Sequence, residues 1–507
     1  MRTATSITAA LALPAALASA KGPVPFPGKH KYVTSEALQQ HITLDSLLAG
    51  SQKLQDFADA NDNHRAFGSG GHNATVDYLY ETLKRTGYYR VEKQPFTEIY
   101  AAADGNLTVD GKLIPTDTLT YTPSGQAKAP LVLVDNLGCE ESDFPAEVKD
   151  SIALISRGEC TFGQKAINAG SAGAAGAVIY NNVAGSISGT LGEPFADYAP
   201  VLGISKEDAE PIIAALKEGT VNGELVVDAT VEDRVNYNVI AETKRGDHDN
   251  VLVLGGHSDS VAAGPGINDD GSGTIGVLRV AEALAHFKIK NAVRFAFWGA
   301  EEFGKLGSYH YIKQINGSET ELSKIRAYLN FDMIASPNFI YGVYDGDGSA
   351  FNLTGPPGSA QIEKDFVDFY KANGVPSVPS EFSGRSDYAA FIENGIPSGG
   401  LFTGAEQEKT EEEAQMFGGE AGVPYDINYH QPGDDIDNLN HEAYLLNTKA
   451  IANSVAKYAM SFEDLEPVDP SKRRFAASKA SQLYAMSEII GHKHSHAGSC
   501  GAPGDAL

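Results

Sequence analysis

Apolar residues near the start of the chain are spaced as they are in helices. Between about residues 43 and 87 they recur at steps of three and four, which places them on one helix face. The side chains with this spacing are Leu44, Leu47, Leu48, Leu54, Phe57, Val76, Leu79, Tyr80 and Leu83. Gly87 follows the last of them and is a typical residue at a helix C-terminus. The pattern predicts helical structure over this region.

The pattern changes between about Tyr121 and Asp228, where apolar residues form short runs punctuated by glycines. Runs of this length are typical of buried strands. They cover residues 131–134, 152–155 and 177–180. The segment has few side chains suited to catalysis, so the chemistry is expected elsewhere in the chain.

From Asn236 onward, strand-like and helix-like segments alternate. Strands are predicted at 251–254, 292–298 and 325–331, and a helix at 273–287. This alternation predicts an α/β fold, with a mostly parallel mixed sheet sandwiched by helices. Functional sites in such folds form at the carboxyl ends of the strands.

The length of 507 residues favours two domains, or one domain with an insertion. Arg2, an apolar run over 7–17 and the small residues 18–20 predict a signal peptide over residues 1–20. Residues 21–42 are expected to be a propeptide or a loose arm. The remaining chain is predicted to comprise an α/β domain over 43–118 and 232–462, an inserted domain over 119–231, and a low-complexity C-terminal tail over 463–507.

The composition, with 42% hydrophobic and 21% charged residues, is that of a globular protein. Because 66 acidic residues face 39 basic ones, nucleic acid and anionic membranes are not expected as partners. No stretch reaches the length of a transmembrane helix, so together with the predicted signal peptide an unanchored, secreted, extracellular protein is expected. We expect it to be a monomer. Glycosylation sequons, which fit secretion, begin at Asn73, Asn106, Asn316 and Asn352.

The chain has three cysteines. Cys139 and Cys160 lie close in sequence between strand-like runs, and an oxidising compartment favours a disulfide between them. Cys500 is left over in a tail rich in Gly, His and Ser.

Each of the three predicted strands ends near a side chain that can bind metal. His257 follows the first strand, the pair Glu301 and Glu302 the second, and Asp332 the third. Asp269, from the intervening loop, and His430 extend this set. Taken singly, each residue can also be explained without a metal. A histidine after a strand can be an ordinary loop residue, and an acidic residue can stabilise the N-terminus of a helix. Together they form a mixed nitrogen and oxygen ligand set that suits two zinc ions and a shared water.

A glycine-rich segment offers a different interpretation. Residues 271–276 match the dinucleotide-binding fingerprint and open a predicted helix. They do not follow a strand, however, and Asp269 and Asp270 would repel a pyrophosphate. We therefore expect these glycines to permit a tight turn and close packing.

Five segments together resemble the co-catalytic two-zinc aminopeptidase family that includes aminopeptidase Y, and within it the secreted leucine aminopeptidases of filamentous fungi. The likeness extends from about Leu44 to Phe462, and its segments are 255–273, 297–304, 329–337, 384–404 and 425–435. It implies the zinc-exopeptidase fold. It also implies roles: His257 and Asp332 hold one zinc, Glu302 and His430 the other, Asp269 bridges them, Glu301 is the general base, and Tyr429 polarises the carbonyl oxygen.

The inserted segment resembles the protease-associated domain. The likeness depends on residues 136–139, 153–162 and 173–182. In that family the domain is a small β-rich module without catalytic residues.

Outside this module, Asp259 is a natural acceptor for the free ring N–H of His257. Many relatives carry cysteines beside the Tyr-His pair where this chain has Asn428 and Gly433, so a disulfide that would brace that loop is absent.

The expected reaction is removal of Leu-like N-terminal residues from peptides with a free α-amine. Glu301 and Asp332 can present negative charge to the ammonium group. Met333 and Phe402 are candidates for an apolar pocket, although core packing explains them equally well. The alternatives are a two-zinc carboxypeptidase, for which Arg385 is the only obvious nearby cation, and a receptor-like relative without metals.

Overall fold

The computed structural model describes residues 31–187, 189–316 and 318–465. The predicted signal peptide, the tail beyond residue 465 and Cys500 lie outside these residues. Within the described ranges, no helix combines the length and the apolar character needed to cross a bilayer. The asparagines of all four sequons are exposed.

The described residues form twelve α-helices. Their bounds are α1 (Ser35–Gln39), α2 (Leu44–Asp59), α3 (Gly70–Arg85), α4 (Phe162–Ser171), α5 (Lys206–Glu218), α6 (Gly271–Leu284), α7 (Leu306–Asn316), α8 (Glu319–Lys324), α9 (Ser359–Ala372), α10 (Tyr388–Ile392), α11 (Glu411–Phe417) and α12 (His441–Tyr458). The helical region predicted near the start is confirmed as α2 and α3. Each begins at a hydroxyl cap, Thr43 for α2 and Ser69 for α3, whose side chain accepts a backbone N–H of the first turn.

Fourteen strands lie in the same described ranges. Their bounds are β1 (Tyr89–Val109), β2 (Lys112–Ile114), β3 (Asp117–Thr118), β4 (Gly125–Leu133), β5 (Ile152–Ser156), β6 (Gly176–Tyr180), β7 (Val201–Ile204), β8 (Asn222–Thr243), β9 (Asp247–His257), β10 (Asn291–Trp298), β11 (Ile325–Phe331), β12 (Gly342–Tyr344), β13 (Val378–Ser380) and β14 (Ser398–Phe402).

The strands that carry the predicted ligands are neighbours. In the order β13-β12-β14-β11-β9-β10-β8, strand β9 lies between β11 and β10 and is parallel to both. Their carboxyl ends therefore meet at one edge of the sheet. The predicted α/β class is confirmed.

Alternate residues of these strands face opposite layers of the core. Leu254, Phe295 and Leu329 belong to a large buried cluster that includes residues of α2, α3, α6 and α12. Trp298 and Tyr328 belong to a second cluster that includes residues of α7 and α10. Because successive side chains of a strand point to opposite faces, helices cover the sheet on both sides.

A long antiparallel ribbon joins this sheet to the inserted module. Strands β1 and β8 pair along their whole length, from Tyr89 opposite Thr243 to Val109 opposite Gly223. Strand β8 pairs with β10 near its end and with β4 near its start, and β4 continues into the parallel strands β5, β6 and β7. The predicted boundary at 231/232 thus falls inside a continuous strand. Within the module, Cys139 and Cys160 form a disulfide.

Candidate metal centre

The strand ends place the predicted ligands in a buried cleft. His257 is the last residue of β9, Asp332 directly follows β11, and Glu301 and Glu302 lie in the turn after β10. Together with Asp269 and His430 they are each at most 8% exposed. Ionisable groups this buried require partners of opposite charge.

Asp269 lies between the two histidines and faces each with a different oxygen. Its Oδ1 is 3.1 Å from Nε2 of His257, and its Oδ2 is 3.2 Å from Nε2 of His430. Oδ1 of Asp332 lies 3.6 Å from the His257 nitrogen, and Oε2 of Glu302 lies 3.0 Å from the His430 nitrogen. The five side chains therefore form two groups of ligand atoms with one shared carboxylate.

Asp270 is a brace that sequence reasoning missed. Its Oδ2 accepts the backbone N–H of His257 at 3.0 Å, and its Oδ1 accepts those of Gly273 at 2.8 Å and Met333 at 3.1 Å. A Cβ at Gly273 would lie 2.0 Å from the carbonyl oxygen of Phe331. The fingerprint glycine therefore allows α6 to approach β11, and no nucleotide is needed to explain it.

Asp434 braces the loop that carries Asp269. Its carboxylate accepts the backbone N–H groups of Asn268 at 2.8 Å and of Asp269 at 3.0 Å. The His430 loop is braced in turn by Asn428, which donates to Oδ1 of Asn438 at 2.7 Å. Hydrogen bonds thus stabilise this loop, in which Asn428 and Gly433 cannot form a disulfide.

Arg65 supplies a buried positive charge below the ligands. Although it is fully buried, its guanidinium donates to the carbonyl oxygens of Pro265 at 2.9 Å, Ser258 at 2.5 Å and Gly266 at 2.5 Å. These carbonyls belong to the loop between the predicted ligands His257 and Asp269. No short-range sequence signal points to Arg65, because its partners are about 200 residues away.

Acidic groups dominate the electrostatics of the cleft. Burial raises the pKa of Glu301 well above its usual value, and the neighbouring carboxylates Asp387 and Asp332 add to this shift. Burial, with Asp332 and Asp259 nearby, also raises the pKa of Asp387 to about 7. Burial opposes protonation of His257, but the surrounding carboxylates outweigh it and raise its pKa well above the usual value.

The donor set fits a metal. Among the described residues, Oδ1 of Asp332 and Nε2 of His430 are buried and make no hydrogen bond of acceptable geometry. Imidazole nitrogens and carboxylate oxygens that converge in an acid-rich cleft are ligands suited to Zn²⁺. Divalent cations would also offset the repulsion between the buried carboxylates.

The residues with predicted catalytic and supporting roles adjoin this cleft. Oε2 of Glu301 lies 3.9 Å from Nε2 of His257. Oδ1 of Asp259 lies 3.7 Å from Nδ1 of His257, too far for a direct hydrogen bond, and accepts the backbone N–H of Glu301 at 3.1 Å. The ring of Tyr429 stacks on that of His430 with 3.8 Å between centroids.

The predicted pocket residues differ in their surroundings. Met333 is buried directly after Asp332, and Phe402 is half-buried against the second core cluster. Arg385 forms an ion pair with Glu406 at 2.7 Å and donates to the hydroxyl of Tyr429 at 3.1 Å. Its charge is therefore already engaged, which weakens the argument for a carboxypeptidase.

A mostly parallel sheet whose strand ends hold two groups of imidazole and carboxylate side chains around a shared aspartate is typical of a metallohydrolase. Comparison with known proteins narrows the class. Residues 238–455 match the model of peptidase family M28, and residues 127–212 match the PA domain. The chain belongs to peptidase family M28 and is a metallo-aminopeptidase with an inserted PA domain.

Its relatives match over most of their length. The chain is 54% identical to a probable leucine aminopeptidase 2 of Aspergillus fumigatus, over 92% of this chain and 93% of the relative. It is 50% identical to leucine aminopeptidase 2 of Trichophyton rubrum, over 85% of this chain and 87% of the relative. Among solved structures, an aminopeptidase from Aneurinibacillus sp. strain AM-1 matches with a TM-score of 0.65 and 27% identity, over 86% of this chain and 99% of that one.

Proposed function

We propose that the protein is a secreted aminopeptidase that uses two zinc ions to remove hydrophobic, Leu-like residues from the N-terminus of peptides. The observation that carries this proposal is the position of Asp269, whose two oxygens face different histidines. The names of the fungal relatives, leucine aminopeptidase 2, support the preference for leucine.

The two ligand groups suggest how the metals are held. His257 and Asp332 would hold one ion, Glu302 and His430 the other, and Asp269 both. Two zinc ions bound there would polarise the scissile carbonyl and activate a water molecule between them.

Glu301 is suited to move the proton. It does not belong to either ligand group, and its carboxylate lies beside them. Glu301 would take a proton from the attacking water and deliver it to the leaving amine. The hydroxyl of Tyr429, held by Arg385, would donate a hydrogen bond to the carbonyl oxygen as negative charge develops there.

Specificity for a free amine follows from the charge of the cleft. Glu301 and Asp332 would attract the α-ammonium group of the substrate, and such an ion pair is strong where water is excluded. Met333 and Phe402 are proposed to contact the side chain of the N-terminal residue.

Secretion is supported by the features of residues 1–20, the Cys139–Cys160 disulfide and the four exposed sequons, which we propose are glycosylated.

The activity is tested with three substrates: Leu-p-nitroanilide, its N-acetyl derivative and a C-terminally amidated peptide. We expect cleavage of the first and third only. Rapid cleavage of the acetylated substrate, or no cleavage of the amidated peptide, would show that the enzyme does not act at the N-terminus of the peptide.

Elemental analysis should find about two zinc ions per active chain.

A further inference from the structure

A row of buried hydrogen bonds leads to the proposed ligand Asp332 from the second core cluster, on the side of the sheet covered by α7 and α10. It links five side chains, each at most 8% exposed: Trp298, Tyr328, Asn330, Ser386 and Asp332. The donor-to-acceptor distances along the row are 2.8, 3.0, 2.8 and 2.5 Å. We refer to these five residues as the Asp332 relay.

The strand geometry explains how the relay forms. Tyr328 and Asn330 lie on β11, and Asp332 continues their period of two, so the three side chains share one side of the strand. Trp298 ends β10, and β9 separates it from β11. Its indole can reach across because the intervening residue is Gly255, where a Cβ would lie 3.2 Å from Nε1 of Trp298.

The relay has one direction. An indole N–H can only donate, so the Tyr328 hydroxyl accepts from Trp298 and donates to Oδ1 of Asn330. The amide of Asn330 then donates through Nδ2 to Ser386. The Ser386 hydroxyl is left to donate to Oδ2 of Asp332.

The two oxygens of Asp332 are thereby made different. Oδ2 is occupied by the hydroxyl of Ser386, whereas Oδ1 faces Nε2 of His257 at 3.6 Å. We propose that the relay positions Asp332, that Ser386 is its positioning residue, and that Oδ1 is the atom that binds metal. This inference rests on the proposed function, because it assumes that zinc binds at His257 and Asp332.

Packing holds the start of the relay rigid. The Tyr328 ring stacks on Phe391 with 3.7 Å between centroids and an angle of 1° between planes. The Trp298 ring packs against Tyr311 and Phe391. Because side chains packed in this way have little room to move, we expect a change at Asp332 to reach the indole.

The first test measures zinc affinity by competition with a chromophoric chelator in the full chain. Ser386→Ala should weaken binding at one of the two sites by about 10- to 100-fold, the usual effect of losing a hydrogen bond to a ligand. Ser386→Thr, which keeps the hydroxyl, should restore affinity to within about threefold. The matched control is Ser454→Ala, because Ser454 is a buried serine of α12 outside the relay.

The second test uses Trp298 as a reporter, since the chain contains 1 tryptophan. Zinc titration of the metal-free protein should change the tryptophan emission. In Tyr328→Phe the relay is interrupted, so zinc should still bind, about two- to tenfold more weakly, with little change in emission. Tyr444→Phe, which removes a buried hydroxyl outside the relay, should respond like the wild type.

The outcomes separate the two proposals. Wild-type protein that takes up no zinc would refute the proposed function itself. Two zinc ions bound equally well by Ser386→Ala and Ser454→Ala would refute only the relay. If Ser386→Ala does not fold, the test depends on Tyr328→Phe. A zinc-induced change in its tryptophan emission equal to that of the wild type would refute the relay.

Discussion

At the scale of single residues, Glu301 carries the sharpest expectation. Glu301→Gln keeps the shape of the side chain and both groups of proposed ligands but removes the proposed general base. We expect turnover to fall by about 10²- to 10⁴-fold while zinc content is unchanged. Measurement of kcat and of bound zinc, with exposed Glu412→Gln as control, checks this. A kcat near that of the wild type would assign the base elsewhere.

Tyr429 tests stabilisation of developing charge. Its ring stacks on His430, and its hydroxyl accepts from Arg385, so the phenol is held beside the ligands. Tyr429→Phe should lower kcat by about 10²-fold and change KM much less, because its hydroxyl acts chiefly in the transition state. Steady-state kinetics with Leu-p-nitroanilide give both constants. A rise in KM at constant kcat would make Tyr429 a substrate-binding residue instead.

His72 ties stability to pH. It is fully buried, and its Nε2 lies 2.9 Å from Oγ of Ser258. Burial lowers its pKa to about 4, whereas a histidine in the unfolded chain titrates near 6.5. Between about pH 6.5 and about pH 4, His72 is therefore protonated in the unfolded chain but neutral in the folded protein. Because the unfolded state binds more protons in this range, lowering the pH favours unfolding.

His72→Gln should consequently lose less unfolding free energy than the wild type between about pH 7 and about pH 4.5. Urea denaturation at the two pH values measures this, with exposed His286→Gln as control. Equal losses in the variant and the wild type would show that other groups cause the acid sensitivity.

At the scale of elements, the ribbon of β1 and β8 is the least expected feature. Residues such as Ile99 and Val235 are exposed on it, while Tyr100 is buried and packs under Arg234 at 3.4 Å. Where a two-stranded ribbon is exposed, neither face must be apolar, so apolar and polar residues alternate only weakly along its strands. Such strands are hard to recognise from the sequence before their pairing is known.

The disulfide between Cys139 and Cys160 is expected to stabilise the inserted module. Cys139 and Cys160 are 21 positions apart, and closing such a loop stabilises a domain by about 3 kcal/mol on the chain-entropy model. Replacing both with serine should lower the unfolding midpoint of the module and leave the metal centre intact. Thermal unfolding and a Leu-p-nitroanilide assay check the two parts, with Cys500→Ser as control. An unchanged midpoint would contradict the stabilising role.

At the scale of the whole molecule, metal and fold should be coupled. The cleft buries many carboxylates. Among the described residues, positive charge beside them comes from Arg65 and from the two histidines proposed as ligands, His257 and His430. Removing zinc leaves their mutual repulsion uncompensated. Chelation should therefore lower Tm by several degrees, and free zinc at about 1,000 times its Kd should restore about 4 kcal/mol. Calorimetry that finds the same Tm with and without zinc would contradict this coupling.

The sequence by itself determined the parallel strands, the helices between them and the side chains of metal-binding type at the strand ends. These follow from local rules, since periodicity over a few residues sets the element and the end of a parallel strand sets the edge of the sheet. His257, Glu302 and Asp332 could be brought together in this way because each lies at or shortly after the end of a strand. The helix predicted over 273–287 extends instead over Gly271–Leu284, because Asp270 caps it.

Only the tertiary structure decided how these groups face one another. Which oxygen of Asp269 turns toward which histidine depends on Asp434, and the orientation of Asp332 on Ser386. Arg65 meets the ligand loop from a segment about 200 residues away. Such contacts depend on long-range packing and on hydrogen bonds between distant segments, which no pattern within a short window of sequence records.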